Sequence, residues 1–330
     1  MMRLLMRKGT LALFAAAIIA AAPAVFTPSA FAADTVSVGS VDATSANLWP
    51  LQIARTNGYF DAAGINIDLV FAQSNASVIQ QLAAGSYNVA PSAGIVDPIR
   101  AIDKGAPVGL VRIVIQAPPY ALLAKPEIKT VEGLKGKTII VGGSADITRL
   151  FNDRMMQQHG LKSDDYDYVF AGATSARFSA LKSAAVDAAL LTTPFNFYAE
   201  TAGYNNLGFT FDVLPDMPFA GMAVNRPWAE RNTDVLKRFL AAYTKGVAWF
   251  YAPQNHKAAV KIQTDISHIS QDDVEKAYAF LRDKKLFEPT GAVSKKKIAT
   301  VVEALHQLGD VSGDTSVERF LLPGVTQISE

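Results

Sequence analysis

Two similar α/β lobes are the fold that this sequence predicts, and three observations predict it. Strand-like and helix-like segments alternate through the first two thirds of the chain, the pattern of parallel sheets flanked by helices. A short motif returns about a hundred residues later at the same place in that rhythm. The part expected to fold, roughly 298 of 330 residues, reaches the size at which single cores stop growing, roughly 250 to 300 residues.

The first 32 residues read as a secretory leader and not as part of the fold. Arg3, Arg7 and Lys8 form a positive start, Leu11 to Val25 is an alanine-rich apolar run, and Ala30-Phe31-Ala32 offers a small-residue cleavage site. Cleavage is expected after Ala32. The apolar run is about 15 residues, short of the roughly 20 that span a bilayer, so a retained anchor is disfavoured. No cysteine follows to carry a lipid. The mature chain then holds 28 Lys+Arg against 30 Asp+Glu, and an exported, periplasmic protein without stable membrane insertion is expected.

The elements follow in order. Val36 to Gly39 reads as a strand, and Leu48 to Ala54 as an apolar-periodic helix that stops before Gly58. Ile65 to Phe71 alternates as a strand should, Val78 to Ala84 is a helix stopped by Gly85, and Tyr87 to Ala90 is a short strand. After Gly136 the order repeats. Lys137 to Val141 is a strand, Ile147 to His159 a helix closed by Gly160, Tyr166 to Phe170 a strand and Phe178 to Ala184 a helix. Beyond Asn225 the character changes to helix over Asp234 to Tyr251, Lys257 to Thr264, Asp272 to Lys284 and Lys295 to Leu308. This helical third is expected to pack back on the first lobe. Lobe one would then hold residues 33–120 and 220–330 and lobe two residues 121–219, with two crossing segments as a hinge.

The internal echo is local and ordered. Gly39-Ser40-Val41-Asp42-Ala43-Thr44 matches Gly143-Ser144-Ala145-Asp146-Ile147-Thr148 in Gly, Ser, Asp and Thr. A second echo pairs Leu82 and Asn88-Val89-Ala90 with Leu181 and Asp187-Ala188-Ala189.

Composition removes several kinds of function. A net charge of +1 leaves no basic excess for a phosphate backbone, and the chain has no cysteine, so thiolate nucleophiles and Cys-ligated metals are excluded. His159, His256, His268 and His306 fall in helical stretches away from the loops, and neither a nucleophile elbow nor a zinc-protease pair is present. No catalytic residue, metal or cofactor is expected.

In open parallel sheets, ligands bind beyond the carboxyl ends of the strands, where helix N-termini present unpaired N–H groups. The two Gly-Ser-x-Asp-x-Thr loops occupy that place. Ser40, Asp42 and Thr44 in one lobe, and Ser144, Asp146 and Thr148 in the other, are therefore candidates to hold a small polar molecule. The alternative for both aspartates is plain helix capping. The loops after the second echo add Ser92, Gly94 and Thr193, while Trp49, Tyr120 and Phe195 would supply apolar walls.

The leader, Ala54-Arg-Thr-Asn-Gly-Tyr-Phe-Asp-Ala-Ala-Gly-Ile, Leu82-Ala-Ala-Gly-Ser-Tyr-Asn-Val-Ala, Leu134-Lys-Gly-Lys-Thr-Ile and Val186-Asp-Ala-Ala-Leu carry a family resemblance. In register from about Val36 to Val224, the chain resembles the substrate-binding proteins of ABC importers in the NMT1-like and SsuA/TauA-like group, which serves nitrate, sulfonates, taurine and thiamine precursors. The resemblance implies a type II periplasmic binding protein fold, a monomer with one ligand in the cleft, and delivery to a permease driven by a separate ATPase subunit. It places the site on Asp42 to Asn47, Ser92 to Gly94, Gly143 to Asp146 and Thr193 to Phe195. Anion binders of that group use hydroxyls, free N–H groups and basic side chains, whereas Asp42 and Asp146 stand here. Either they cap their helices, or the ligand brings donors of its own. Two other functions stay open at this stage: a ligand sensor docking on a membrane receptor, and an enzyme similar to the thiamine-pyrimidine synthases, which however carry a cysteine-rich motif.

Overall fold

A computed structural model describes residues 33–330 apart from Asp216, Leu308 and Glu330. The expected leader lies outside the described residues. The chain runs β1 (Asp34–Ser40), α1 (Trp49–Thr56), α2 (Tyr59–Ala62), β2 (Ile65–Phe71), α3 (Asn75–Ala83), β3 (Val89–Gly94), α4 (Val96–Asp103) and β4 (Val108–Ile115). It continues with β5 (Tyr120–Ala124), β6 (Thr138–Val141), α5 (Ile147–Gln158), β7 (Asp167–Phe170), α6 (Thr174–Lys182), β8 (Ala188–Thr192), α7 (Phe195–Thr201), β9 (Asn205–Phe209) and α8 (Thr210–Val213). β10 (Ala220–Asn225), α9 (Arg226–Arg231), α10 (Thr233–Tyr251), α11 (His256–Ser267), α12 (Gln271–Asp283) and α13 (Lys295–Gln307) complete it, with a two-residue strand pair, Val293–Ser294 and Ile328–Ser329.

Two five-stranded sheets form, in the orders β2-β1-β3-β10-β4 and β7-β6-β8-β5-β9. Each, with its flanking helices, is called a lobe below. The sheets are mixed, which corrects the expectation of parallel sheets. β10 runs antiparallel to β3 and β4, and β5 antiparallel to β8 and β9. These reversed strands are the first that the chain lays down after each passage between sheets, between Ile115 and Tyr120 and again between Phe209 and Ala220. Five strands that alternation did not reveal, β4, β5, β8, β9 and β10, include four buried at every residue. A strand buried on both faces has no period of two to read. β4 is buried although it ends its sheet, because Leu321 and Phe287 bridge to Leu110 and Ile115 along its free side.

A second correction concerns residues 91–94, expected as a loop. They belong to β3. A proline inside a sheet removes a ladder donor, but here the pairing with β10 slips between Gly221 and Ala223, opposite Pro91 and Ser92, and β1 pairs with β3 only at Val38–Val89. The bulge leaves the missing N–H without a partner to lose.

The helical third packs on lobe one. α10 lies so close to α1 that a Cβ on Gly246 would stand 3.1 Å from Ala54 Cβ and nearer still to the Pro50 carbonyl oxygen. α12 also reaches lobe two. Phe280 stacks at 5.2 Å on Phe209 and meets Phe197 edge-on at 5.8 Å, and Asp273 accepts from Thr201 Oγ1 at 2.6 Å. Among the described residues no helix is long and apolar enough to cross a membrane.

Candidate functional site

The carboxyl ends of β1 and β3 face lobe two across a cavity of about 40 Å³. Lobe one contributes Ser40, Asp42, Ser45, Asn47, Asn75 and Ser92, and the other side is closed by Tyr120, Gly172, Thr174 and Phe219. A water needs roughly 10–15 Å³ on this measure, so the closed cleft has room for a solute of a few heavy atoms. The floor is apolar where Leu48, Val78 and Ala93 come to it. None of its lining residues is Lys, Arg or His.

Local chemistry builds each wall. Ser45 Oγ accepts from Asn47 N at 3.3 Å and starts the 3₁₀ turn Ala46–Leu48 that presents Asn47. Ser74 and Ser77 form a reciprocal capping box at the start of α3. α6 begins after Ala173, which has no side-chain oxygen to cap with. Ser92 Oγ is buried and has no partner in the protein. Behind Thr174, Arg177 is 1% exposed and spends its donors on the carbonyls of Leu190, Ala171 and Gly172 and on Thr174 Oγ1, each at 2.8 Å. Among the described residues no carboxylate pairs with this guanidinium. It lies 5.7 Å over the Tyr120 ring, and burial pushes the Tyr120 hydroxyl above the usual range against the pull of Arg177.

Of the residues singled out from sequence, the structure brings Ser40, Asp42, Asn47, Ser92 and Tyr120 to one cavity. Thr44 stands behind the wall and donates through Oγ1 to Asp42 at 2.6 Å. Gly94 sits at the seam, where a Cβ would approach Ile147 Cγ2 of lobe two to 3.2 Å. Ser144 and Asp146 line a separate groove with Arg149 and Asp153. Thr193 is buried at the seam and its carbonyl accepts from Ala46 N at 3.2 Å. Its hydroxyl, that of Thr192 and both amide atoms of Asn196 have no protein partner. Phe195 packs on Phe178 at 6.0 Å. Trp49 is not a cleft wall: it is fully buried in lobe one, donates Nε1 to Ala259 O at 2.9 Å and meets Phe250 and Tyr278 edge-on.

Sequence reasoning missed Asn75, Gly172, Thr174 and Ser175. A third echo marks them. Val70-Phe71-Ala72 recurs as Val169-Phe170-Ala171, at the offset of 99 that the second echo has, and each copy leads into a helix facing the seam.

Residues 45–256 match the model of the family described as NMT1/THI5 like. The chain belongs to the NMT1/THI5-like family. No curated protein matches the sequence. Among solved structures it is similar to the alkanesulfonate-binding protein SsuA from Xanthomonas axonopodis pv. citri, with a TM-score of 0.72, 17% identity, 89% of this chain and 98% of that one covered. It is similar to the ligand-binding component of an ABC-type import system from Staphylococcus aureus, with a TM-score of 0.73, 14% identity and coverages of 88% and 97%. The periplasmic nitrate-binding protein NrtA from Synechocystis PCC 6803 follows at 0.64, 14% identity and coverages of 74% and 70%. At these identities the likeness shows the fold, which is that of the periplasmic binding proteins: two mixed α/β lobes with the chain passing twice between them.

Within this NMT1/THI5-like chain one seam carboxyl is set apart. Asp97, in the first turn of α4, has its carboxyl pushed up to about 8, first by burial and then by Asp146 opposite, with Arg100 pulling the other way. Its Oδ2 has no partner in the protein. The folded state therefore holds a proton that the unfolded chain releases near pH 4. Stability from this group is fully present below that pH and is lost as pH rises toward 8. The denaturation midpoint of the wild type is expected to fall from pH 5 to pH 8 relative to Asp97→Asn. Parallel profiles for the two proteins would refute this assignment.

Proposed function

We propose that this protein is the periplasmic solute-binding component of an ABC importer, exported with a cleaved leader, which captures a small organic ligand between its lobes and delivers it to a permease. The observation that carries this reading is the cavity itself, polar, walled from both lobes and placed where the strands' carboxyl ends converge. Closure gives the permease something to read, because solute contacts with both walls favour the closed form over the open one.

A binding role without chemistry fits the residues. His159 pairs with Glu132, His256 with Glu275, and His306 Nδ1 lies 3.0 Å from Val311 O. None of the four histidines lines the cavity. The side chains that do are hydroxyls, amides, one carboxylate and one phenol, with no nucleophile–base pair among them.

The test is a thermal-shift panel of nitrate, sulfonates, carboxylates, pyrimidines, amides and amines. A solute at 100 times its Kd adds about 2.7 kcal/mol, a Tm rise of about 4 °C for a chain of this size. Ser92→Phe, which fills the cavity, and Asn47→Ala are expected to abolish that rise while the solute-free Tm changes by about 3 °C or less. An undiminished rise in both variants would remove the site from the cleft.

A further inference from the structure

The two Gly-Ser-x-Asp-x-Thr segments build the same contact twice, in opposite directions. Asp42 Oδ1 accepts from Thr44 N at 2.8 Å and Thr44 Oγ1 at 2.6 Å, which closes its own loop. Its Oδ2 crosses the seam and accepts from Ser175 Oγ at 2.8 Å and Ser175 N at 3.4 Å, in the first turn of α6. Asp146 Oδ1 accepts from Thr148 N at 2.9 Å and Thr148 Oγ1 at 2.5 Å, and its Oδ2 accepts from Asn75 Nδ2 at 3.1 Å, at the first residue of α3. α3 and α6 are the equivalent helices of the two lobes, each following the edge strand of its sheet. α6 lacks a cap of its own, and Asp42 supplies one from the other lobe. α3 is already capped by Ser74, so Asp146 takes the Asn75 side chain instead.

We propose that Asp42 and Asp146 are reciprocal closure latches, tethered anions that join the lobes through their own hydrogen bonds and make the cleft select an uncharged hydrogen-bonding solute over an anion. The positive ends of α3 and α6 are where an anion in the cleft would be favoured. Each already faces a carboxylate of the opposite lobe. A free anion entering the cavity would meet the Asp42 charge on its wall with no basic side chain lining that wall, since the Arg177 guanidinium behind Thr174 has its donors on carbonyls and a hydroxyl. An uncharged solute with N–H or O–H donors meets no such penalty, and the unpartnered Ser92 hydroxyl is there to bond it. Solute selection rests on the cleft-binding reading above; the latch does not.

The two parts are tested on the full chain. Because the sequence has no cysteine, Asp68→Cys on β2 and Asp167→Cys on β7, both exposed, take a pair of spin labels that report the distance between lobes. Without solute the labelled protein is expected to show one short-distance population. Ser175→Ala with Asn75→Ala removes the side-chain donors of both latches, leaves Asp42 only the 3.4 Å contact from Ser175 N, and keeps both Asp–Thr loops intact. This double variant is expected to shift the closed-to-open ratio by about tenfold or more per latch, the size of a charge-assisted hydrogen bond, and to show a second, longer distance at unchanged circular dichroism. An unaltered distance distribution overturns the latch. For selection, nitrate and methanesulfonate are compared with acetamide and 4-aminopyrimidine. The wild type is expected to bind the uncharged probes, and Asp42→Asn with Asp146→Asn to gain at least tenfold in anion affinity. Wild-type binding of the anions as tightly as the uncharged probes overturns selection. Binding of no probe defeats the cleft-binding reading and selection with it, while the label distances still decide the latch.

Discussion

Gly172→Ala is expected to keep the lobes from closing and to weaken capture of any cleft solute about 5- to 150-fold. A Cβ at residue 172 of lobe two would stand 2.9 Å from Ser74 Cα of lobe one and closer still to the Gln73 carbonyl oxygen. Both are backbone atoms at the head of α3, which its capping box holds in place, so neither can yield by rotating a side chain. Overpacking of this kind costs about 1–3 kcal/mol, and each 1.4 kcal/mol is a factor of about ten in an equilibrium. Lobe two itself should be untouched, because Gly172 does not occupy the left-handed region and alanine is sterically free to adopt its backbone. Titration calorimetry with the best solute of the thermal-shift panel, alongside small-angle scattering, checks both halves. A wild-type affinity together with a wild-type radius of gyration would mean that the loops 72–74 and 171–173 do not abut when the protein binds.

Trp49→Ala is expected to act on the fold and not on the site. The ring fills the space between α1, α10, α11 and α12, edge-on to Phe250 at 5.3 Å and Tyr278 at 5.9 Å, and it satisfies the Ala259 carbonyl. Removing a buried indole costs about 3–5 kcal/mol through lost transfer energy and the cavity left behind, and it leaves that carbonyl without its donor. Urea denaturation should show the loss as a lower midpoint at unchanged slope. Trp49→Phe keeps most of the volume and should retain solute affinity within about twofold. A drop in affinity with an unchanged denaturation midpoint in Trp49→Ala would return this residue to the cleft.

Legibility in the sequence follows the range of the interaction. The loops after β1 and β6 were readable because Asp42–Thr44 and Asp146–Thr148 bond across two residues, and an i to i+2 bond repeats whenever the residues do. The helices α5, α10 and α12 fall within two residues of their periodic runs, since one apolar stripe on each is enough to mark them. Trp49 was misplaced because its aromatic character suits a pocket wall and a core equally. What decided between them is α11, more than two hundred residues away, whose Ala259 carbonyl receives the indole N–H. Ser175 carried no signal of its own, and only the Val-Phe-Ala repeat, compared between halves, points to the helix that holds it.

By itself the sequence determined the alternation of strand and helix, the duplication of the lobes and the place of the two Gly-Ser-x-Asp-x-Thr loops between strand and helix, because each depends on residues a few positions apart. Tertiary structure alone decided that β5 and β10 enter their sheets reversed, that Ser92 on β3 lines the cleft, and that the second oxygen of each aspartate belongs to the other lobe. Those contacts join residues 71 to 133 positions apart. A pairing at that distance is selected by which surfaces the folded lobes bring together, and no local spacing records it.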